Sequence, residues 1–184
     1  CDMLRSEIAA GSDLGMKAKS IIEAGGLVHD ELVVQIIEKK IKENQNARGI
    51  LFDGFPRTVV QAYILDGLLL KLNTSLDMMI SLDVPDQELI ERLLLRAETS
   101  NRSDDTLDVI KVRLQEYNNK TKPVADYYAD QNKYHKLNGV GSLDDIFNNI
   151  VDHIEKNKSK EYTNIVLLGK PGAGKGTQGQ LLAN

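Results

Sequence analysis

The sequence predicts an α/β fold, a parallel β-sheet core flanked by helices. Three observations carry that expectation. Short apolar runs at 49–54, 78–84 and 164–168 are too brief for helices and are bounded by glycine, proline or a carboxylate. Between them lie stretches with helical spacing, long enough for the crossovers that parallel strands require. The last run turns directly into Gly169-Lys170-Pro171-Gly172-Ala173-Gly174-Lys175-Gly176-Thr177. A strand, a glycine turn and a helix in that order suit an anion held beyond the carboxyl end of a strand.

Taken in order, Met3 to Ile41 reads as helical, broken at Ala10-Gly11-Ser12 and at Gly25-Gly26. Leu32, Val33, Ile36, Ile37 and Ile41 form one apolar stripe, and Asp30 is the expected N-cap of that helix. Gly49 to Gly54 is expected to be a buried strand ending in the Asp53 carboxylate. Thr58 to Leu72 is expected to be helical, and Met78 to Val84 a second buried strand closed by Pro85. Asp86 to Arg96 reads as a helix, followed by a polar segment at 97–106. Leu107 to Tyr117 and Pro123 to Gln131 read as two helices separated by Asn118 to Lys122. Tyr134 to Asn138 is a short strand candidate, and Ser142 caps a helix that runs to Lys156. Lys156 to Thr163 has the composition of a linker.

The chain has 184 residues, enough for one domain with a real core, and its 41% hydrophobic and 27% charged content is ordinary for a globular protein. A formal net charge of −4 gives no global attraction to nucleic acid or anionic membrane. No apolar stretch approaches the roughly 18 residues of a membrane span, and no signal-peptide pattern opens the chain. The single cysteine, Cys1, rules out an internal disulfide and suits a reducing compartment. A cytoplasmic monomer without nucleic-acid or membrane partners is expected.

The chemistry concentrates in two loops. Backbone N–H groups from Gly172 through Ala173, Gly174, Lys175 and Gly176 to Thr177 can converge on an anion at the positive end of the following helix. Lys175 then reaches the outer phosphates, and the Thr177 hydroxyl can face a magnesium ion, so a nucleotide phosphate is the expected ligand. The second loop is Phe52-Asp53-Gly54-Phe55-Pro56-Arg57-Thr58. A carboxylate at a strand end beside such a glycine loop commonly holds Mg²⁺ through water, because magnesium keeps much of its hydration. Arg57 would point from the same loop toward an acceptor phosphate, where its planar fork matches oxygen pairs.

With its G-x-P-G-x-G-K-G-T-Q and D-G-F-P-R strings, joined by Asp2-Met3-Leu4-Arg5 and Gly25-Gly26-Leu27-Val28, the chain resembles the nucleoside monophosphate kinases, most closely the adenylate kinases. The resemblance implies a P-loop core with a helical acceptor-binding insert at 3–41 and a short lid at 97–106. It implies that Arg5 grips the monophosphate and that Gly26, Leu27, Val28 and Gly54 border the acceptor, with His29 a structural variant where the family has proline. Gln61 is similar to the glutamine that reads adenine, since an amide offers one donor and one acceptor to N1 and N6. Arg92 and Arg96, on one helix face, would close with Arg102 and Arg113 over the phosphates, Asp104 and Asp105 holding the lid. Arg102 and Arg113 would also touch AMP. Gly141 would lie against the ATP adenine beside the loop residues 172–177. The lid has no cysteines for zinc. Tyr127, Tyr128, His135 and His153 are assigned to packing or surface. Catalytic roles fall to Lys175, Arg57, Arg96, Arg102 and Arg113.

The reaction so implied is reversible γ-phosphoryl transfer from MgATP to AMP, giving two ADP. A UMP/CMP kinase and an engineered chain that binds nucleotide but turns over poorly remain as alternatives. In the family the glycine loop lies near the N-terminus, whereas here it lies within 164–184. The resemblance spans the chain in rotated order, so one circularly permuted domain over 1–184 is expected, joined through 156–163. A family strand that precedes the Asp-Met-Leu-Arg helix is expected to be missing, with Cys1 standing where a glycine should be.

Overall fold

The computed structural model describes residues 2–23, 29–99, 106–159 and 163–184, and the side chains of all of these except 2–5 and 21–23. Among them, four parallel strands form one sheet: β1 (Leu51–Asp53) at one edge, β4 (Ile165–Gly169) beside it, then β2 (Met78–Asp83), with β3 (Tyr134–Asn138) at the other edge. Helices α1 (Asp2–Ala9), α2 (Asp13–Glu23) and α3 (Asp30–Glu43) precede β1, and α4 (Val59–Lys71) joins β1 to β2. The β2–β3 crossover holds α5 (Asp86–Thr99), α6 (Leu107–Glu116) and α7 (Lys122–Ala129). α8 (Leu143–Asn157) leads toward β4, and α9 (Lys175–Ala183) follows it. The last strand in the sequence is thus an interior strand of the sheet.

Alternation along the strands sorts the core into two layers. Phe52, Val166, Met79 and Tyr134 stand in one row across the four strands. That face packs on Ile37, Leu65, Leu69, Val124 and Tyr128 of α3, α4 and α7. Met78, Ile80, Leu82, Ile165 and Leu167 point the other way, onto Leu89, Leu93, Ile110 and Ile150 of α5, α6 and α8. Removing each such side chain from water contributes about 1.5–3 kcal/mol. A burial on both faces of that kind is why these strands read as continuous apolar runs.

Asn164, which is 0% exposed, fastens the amino ends of the inner strands. Its backbone N–H donates to Asp77 Oδ2 (2.7 Å), its Nδ2 donates to Thr74 Oγ1 (3.0 Å) and Ser75 O (2.8 Å), and its Oδ1 accepts from Ile50 N–H (3.2 Å). In the insert, the nearly buried Glu7 carboxylate accepts from Ser12 Oγ and Lys39 Nζ and pairs with Lys40, tying α1 to α3. The Ser12 bond, then Lys39, hold its carboxyl below the usual range. Asp66 of α4 gathers Tyr127, Tyr128 and Gln131, which fastens α4 to α7.

Several expectations need correction. Asp30 is the first residue of α3 rather than its cap; His29 holds the cap position, with no side-chain cap bond, at φ −63° and ψ 144°. Proline adopts the same conformation, which is why histidine can stand there. Asn118 to Lys122 does not separate two helices: Tyr117–Thr121 forms a π-helical turn that runs α6 into α7. Single-turn π segments inside helices accommodate one extra residue without breaking the helical path. The first two strands are shorter than expected, and the helix after Asp86 extends to Thr99. The cap expected at Ser142 is present, accepting from Asp145 N–H, whereas Thr58, expected inside its helix, is instead the cap of α4, accepting from Gln61 N–H.

Candidate active site

β4 is buried throughout and delivers the chain into the glycine turn between β1 and β2. Gly172 (φ +84°) and Gly174 (φ +93°) both occupy the left-handed region, which lets the backbone curl without side chains inside the turn. A Cβ placed on Gly172 would lie 2.9 Å from Leu93 Cγ and 3.4 Å from the Leu89 carbonyl oxygen, so α5 sets the floor of the loop. The first helical bond of α9 runs from Gln178 N–H to Gly174 O (3.0 Å). The N–H groups of Lys175, Gly176 and Thr177 therefore have no i−4 partner, the condition for an anion site at a helix N-terminus.

Burial, first of all, holds the Lys175 ammonium below its usual range; Asp53 opposes that, and Arg57, Arg113 and Arg96 reinforce it. Cations from the loop after β1, from α6 and from α5 thus share one electrostatic environment with the loop lysine. Asp53 offsets part of their mutual repulsion, and an anion among them would lower it further. The Asp53 carboxylate, at the carboxyl end of β1, lies 3.6 Å from where a Gly176 Cβ would stand.

The second loop is held just as firmly. Arg57 Nε donates to Gly54 O (2.8 Å), and its carbonyl accepts from Thr121 Oγ1 (2.9 Å), which brings the π-helical turn against it. Phe55–Pro56 is a cis peptide, and both residues are buried. The Gln61 amide is bonded at both ends: Oε1 accepts from the Arg57 backbone N–H (2.7 Å), and Nε2 donates to Asp30 Oδ1 (2.8 Å).

A cleft of about 360 Å³ adjoins the glycine turn, lined by Arg92, Gly141, Gly172, Gly174, Thr177 and Gln178 among others. Arg92 is fixed there by Glu88 and by Gly139 O (3.3 Å). Gln178 donates to Leu143 O (3.1 Å), while its buried Oε1 has no hydrogen-bond partner. The structure therefore separates the residues expected at the site into two neighbouring groups. Lys175, Asp53, Arg57, Arg96 and Arg113 share the charged centre; Arg92, Gly141, Gly172, Ala173, Gly174 and Thr177 line the cleft. The side chain of Arg5, and Gly26, Leu27, Val28, Arg102, Asp104 and Asp105, lie outside the described residues. Tyr127 and Tyr128 pack against one another at 4.9 Å between ring centroids, and His135 and His153 at 4.5 Å, as assigned. Sequence reasoning missed both Asp30 and the Arg57 N–H as Gln61's partners; the Thr58-x-x-Gln61 spacing of a capping box signals the Gln61 N–H to Thr58 Oγ1 bond and would send the amide to the Thr58 N–H instead.

A glycine loop with its lysine at the carboxyl edge of a parallel sheet, ringed by arginines, defines a P-loop nucleotide-phosphate site. The chain belongs to the adenylate kinase family, whose members are phosphotransferases: the family model described as "Adenylate kinase" matches residues 1–133. It is similar to the adenylate kinase of Stenotrophomonas maltophilia (strain K279a), 44% identical over 145 residues, covering 79% of this chain and 78% of the relative. The adenylate kinase of Maricaulis maris (strain MCS10) is 44% identical over 155 residues, 84% and 82% of the two chains. That of Bacteroides thetaiotaomicron is 39% identical over 155 residues, again 84% and 82%. No helix among the described residues is long and apolar enough to cross a membrane.

Proposed function

We infer that this chain transfers the γ-phosphoryl group of MgATP reversibly to AMP, giving two ADP. The observation that carries the reading is the electrostatic convergence of Arg57, Arg96 and Arg113 on Lys175 from three separate stretches of chain. Phosphoryl transfer asks little covalent chemistry of a protein; positioning and charge neutralisation do the work. Lys175 and the amides of 172–177 hold the donor phosphates, while Arg57, with Arg5, holds the acceptor phosphate. Arg96, Arg102 and Arg113 spread over the transferring group, and Gln61 reads the acceptor base. The cleft beside Arg92 and Gly141 takes the donor base. Closure of 97–106 and of the insert excludes water that would otherwise compete as nucleophile.

The residues suit Mg²⁺ brought in with ATP. Asp53 and Thr177 offer oxygen donors beside the loop, and among the described residues no group of three or more His, Cys, Asp or Glu side chains forms a protein cage. Magnesium takes few protein ligands and keeps phosphate and water oxygens, and when bound it neutralises phosphate charge. The working unit in this reading is a cytoplasmic monomer; the net charge of −4 gives no global attraction to nucleic acid or anionic membrane.

The chain order is, in the same reading, a circular permutation. The family match ends at residue 133, whereas the glycine loop begins at Gly169 and its strand sits between β1 and β2. Loop placement matters to the reaction, and chain order does not. The test is a coupled assay of ADP formation from ATP with AMP, UMP or CMP, beside a titration of ATP binding. Turnover with AMP preferred is expected, and Lys175→Met is expected to abolish it. ATP binding without ADP formation overturns the enzyme reading, and equal use of UMP or CMP overturns the acceptor.

A further inference from the structure

We propose that Asp30 is a positioning residue that locks the polarity of the Gln61 amide and so sets the preference for adenine over a 6-oxopurine acceptor. The inference rests on Gln61 reading the acceptor base, as proposed above. Three bonds fix this residue: its backbone N–H donates to Thr58 Oγ1 (3.2 Å), its Oε1 accepts from Arg57 N–H (2.7 Å), and its Nε2 donates to Asp30 Oδ1 (2.8 Å). A backbone N–H can only donate and a carboxylate can only accept. Half a turn of the amide would set NH₂ against the Arg57 N–H and Oε1 against the Asp30 carboxylate, losing both bonds and opposing like charges. The two partners come from different parts of the chain, the residue before the cap of α4 and the first residue of α3.

With those bonds made, the amide retains one N–H and one oxygen lone pair, in a fixed order. Adenine presents an acceptor at N1 and a donor at N6, which that order satisfies. Hypoxanthine presents the reverse, N1–H and O6, and needs the flipped amide. A site whose polar groups are left unpaired by the wrong ligand discriminates far more strongly than a pocket that merely differs in shape. Asp30 is the partner that makes flipping costly from the nitrogen end; without it, only the Arg57 N–H resists.

The experiment is the full chain assayed by kcat/KM with AMP and with IMP, the ratio within each variant cancelling any loss of folded protein. Asp30→Asn keeps the shape of the side chain but can present either an oxygen or an NH₂ to Gln61, so it keeps the clamp and removes the lock. A fall in the AMP:IMP ratio of about fivefold is expected for Asp30→Asn, and about tenfold for Asp30→Ala. Retention of the parent ratio in Asp30→Asn overturns the lock and leaves Asp30 a clamp between α3 and α4. Gln61→Ala runs alongside and is expected to collapse the ratio. If it does not, Gln61 does not read the base, and that reading falls whatever Asp30 does.

Discussion

Substituting Gly172 and Gly174 one at a time by alanine separates two costs that the glycine turn combines. Both residues have φ near +90°, at +84° and +93°. Alanine at either pays backbone strain of about 1–3 kcal/mol, offset by about 0.4–1 kcal/mol from a stiffer unfolded chain. Beyond that they differ. A Cβ at Gly174 meets nothing within 4 Å, whereas at Gly172 it meets Leu93 Cγ at 2.9 Å and Cδ2 at 3.2 Å. Leu93 is 1% exposed and packed into the core, so it cannot swing aside, and such overpacking adds about 1–3 kcal/mol. The net expectation is about 1–2 kcal/mol for Gly174→Ala and about 2–4 kcal/mol for Gly172→Ala. At roughly 2–4 °C per kcal/mol for a chain of this size, melting points fall by roughly 2–8 °C and roughly 4–16 °C respectively. Thermal unfolding followed by far-UV circular dichroism without nucleotide measures both. Equal shifts, or a larger loss at Gly174, refute the claim that α5 sets the floor of the loop.

Gly67 lies inside α4 with open space where a Cβ would stand, so Gly67→Ala is expected to stabilise by about 0.5–1 kcal/mol, a rise of roughly 1–3 °C in the same melt. Asn164→Ala removes three side-chain hydrogen bonds at a fully buried position and leaves Ile50 N–H without its acceptor; a loss of about 2–4 kcal/mol is expected, read as a lower urea midpoint. Burial, then the neighbouring His153, depress the pKa of His135 below its usual value of 6.5. The unfolded chain therefore binds the proton more readily. This residue's contribution is full above about pH 6.5 and is lost as pH falls toward the lower folded value. His135→Phe is expected to narrow the stability gap between about pH 7.5 and about pH 5 in urea titrations, and an unchanged gap refutes the assignment.

Much of this architecture was legible because local and global signals agree. The Val166-Leu167-Leu168 run, the glycines after it and Lys175 mark strand, turn and helix without reference to anything distant. Ser142 caps where its side chain and the following amides dictate. What stayed hidden depends on long-range partners. Asp30 looks like a cap because it precedes an apolar stripe, yet its carboxylate is drawn to Gln61, 31 residues away. Asn118 to Lys122 looks like a break because its residues are polar, yet buried Thr121 binds the Arg57 carbonyl and keeps the segment helical. Glu7 and Asn164 are polar yet buried, and only the partners assembled around them make that burial tolerable. The cleft and the charged centre are distinct in that Arg92 is held by Glu88 and Gly139 O whereas Arg96 acts on Lys175, although the two stand one turn apart on α5.

The place of β4 constrains how this polypeptide is made. Synthesis runs from the amino end, so β1, β2 and β3 leave the ribosome before the strand that stands between the first two. Until residues 165–169 emerge, Phe52 and Met79 have no backbone between them to complete their row. Until then the nascent chain carries its apolar layers half-assembled, a period in which exposed strand edges invite association with other chains. A dependence of soluble yield on translation temperature is the expected cellular signature of a sheet whose bridging strand is made after both of its neighbours.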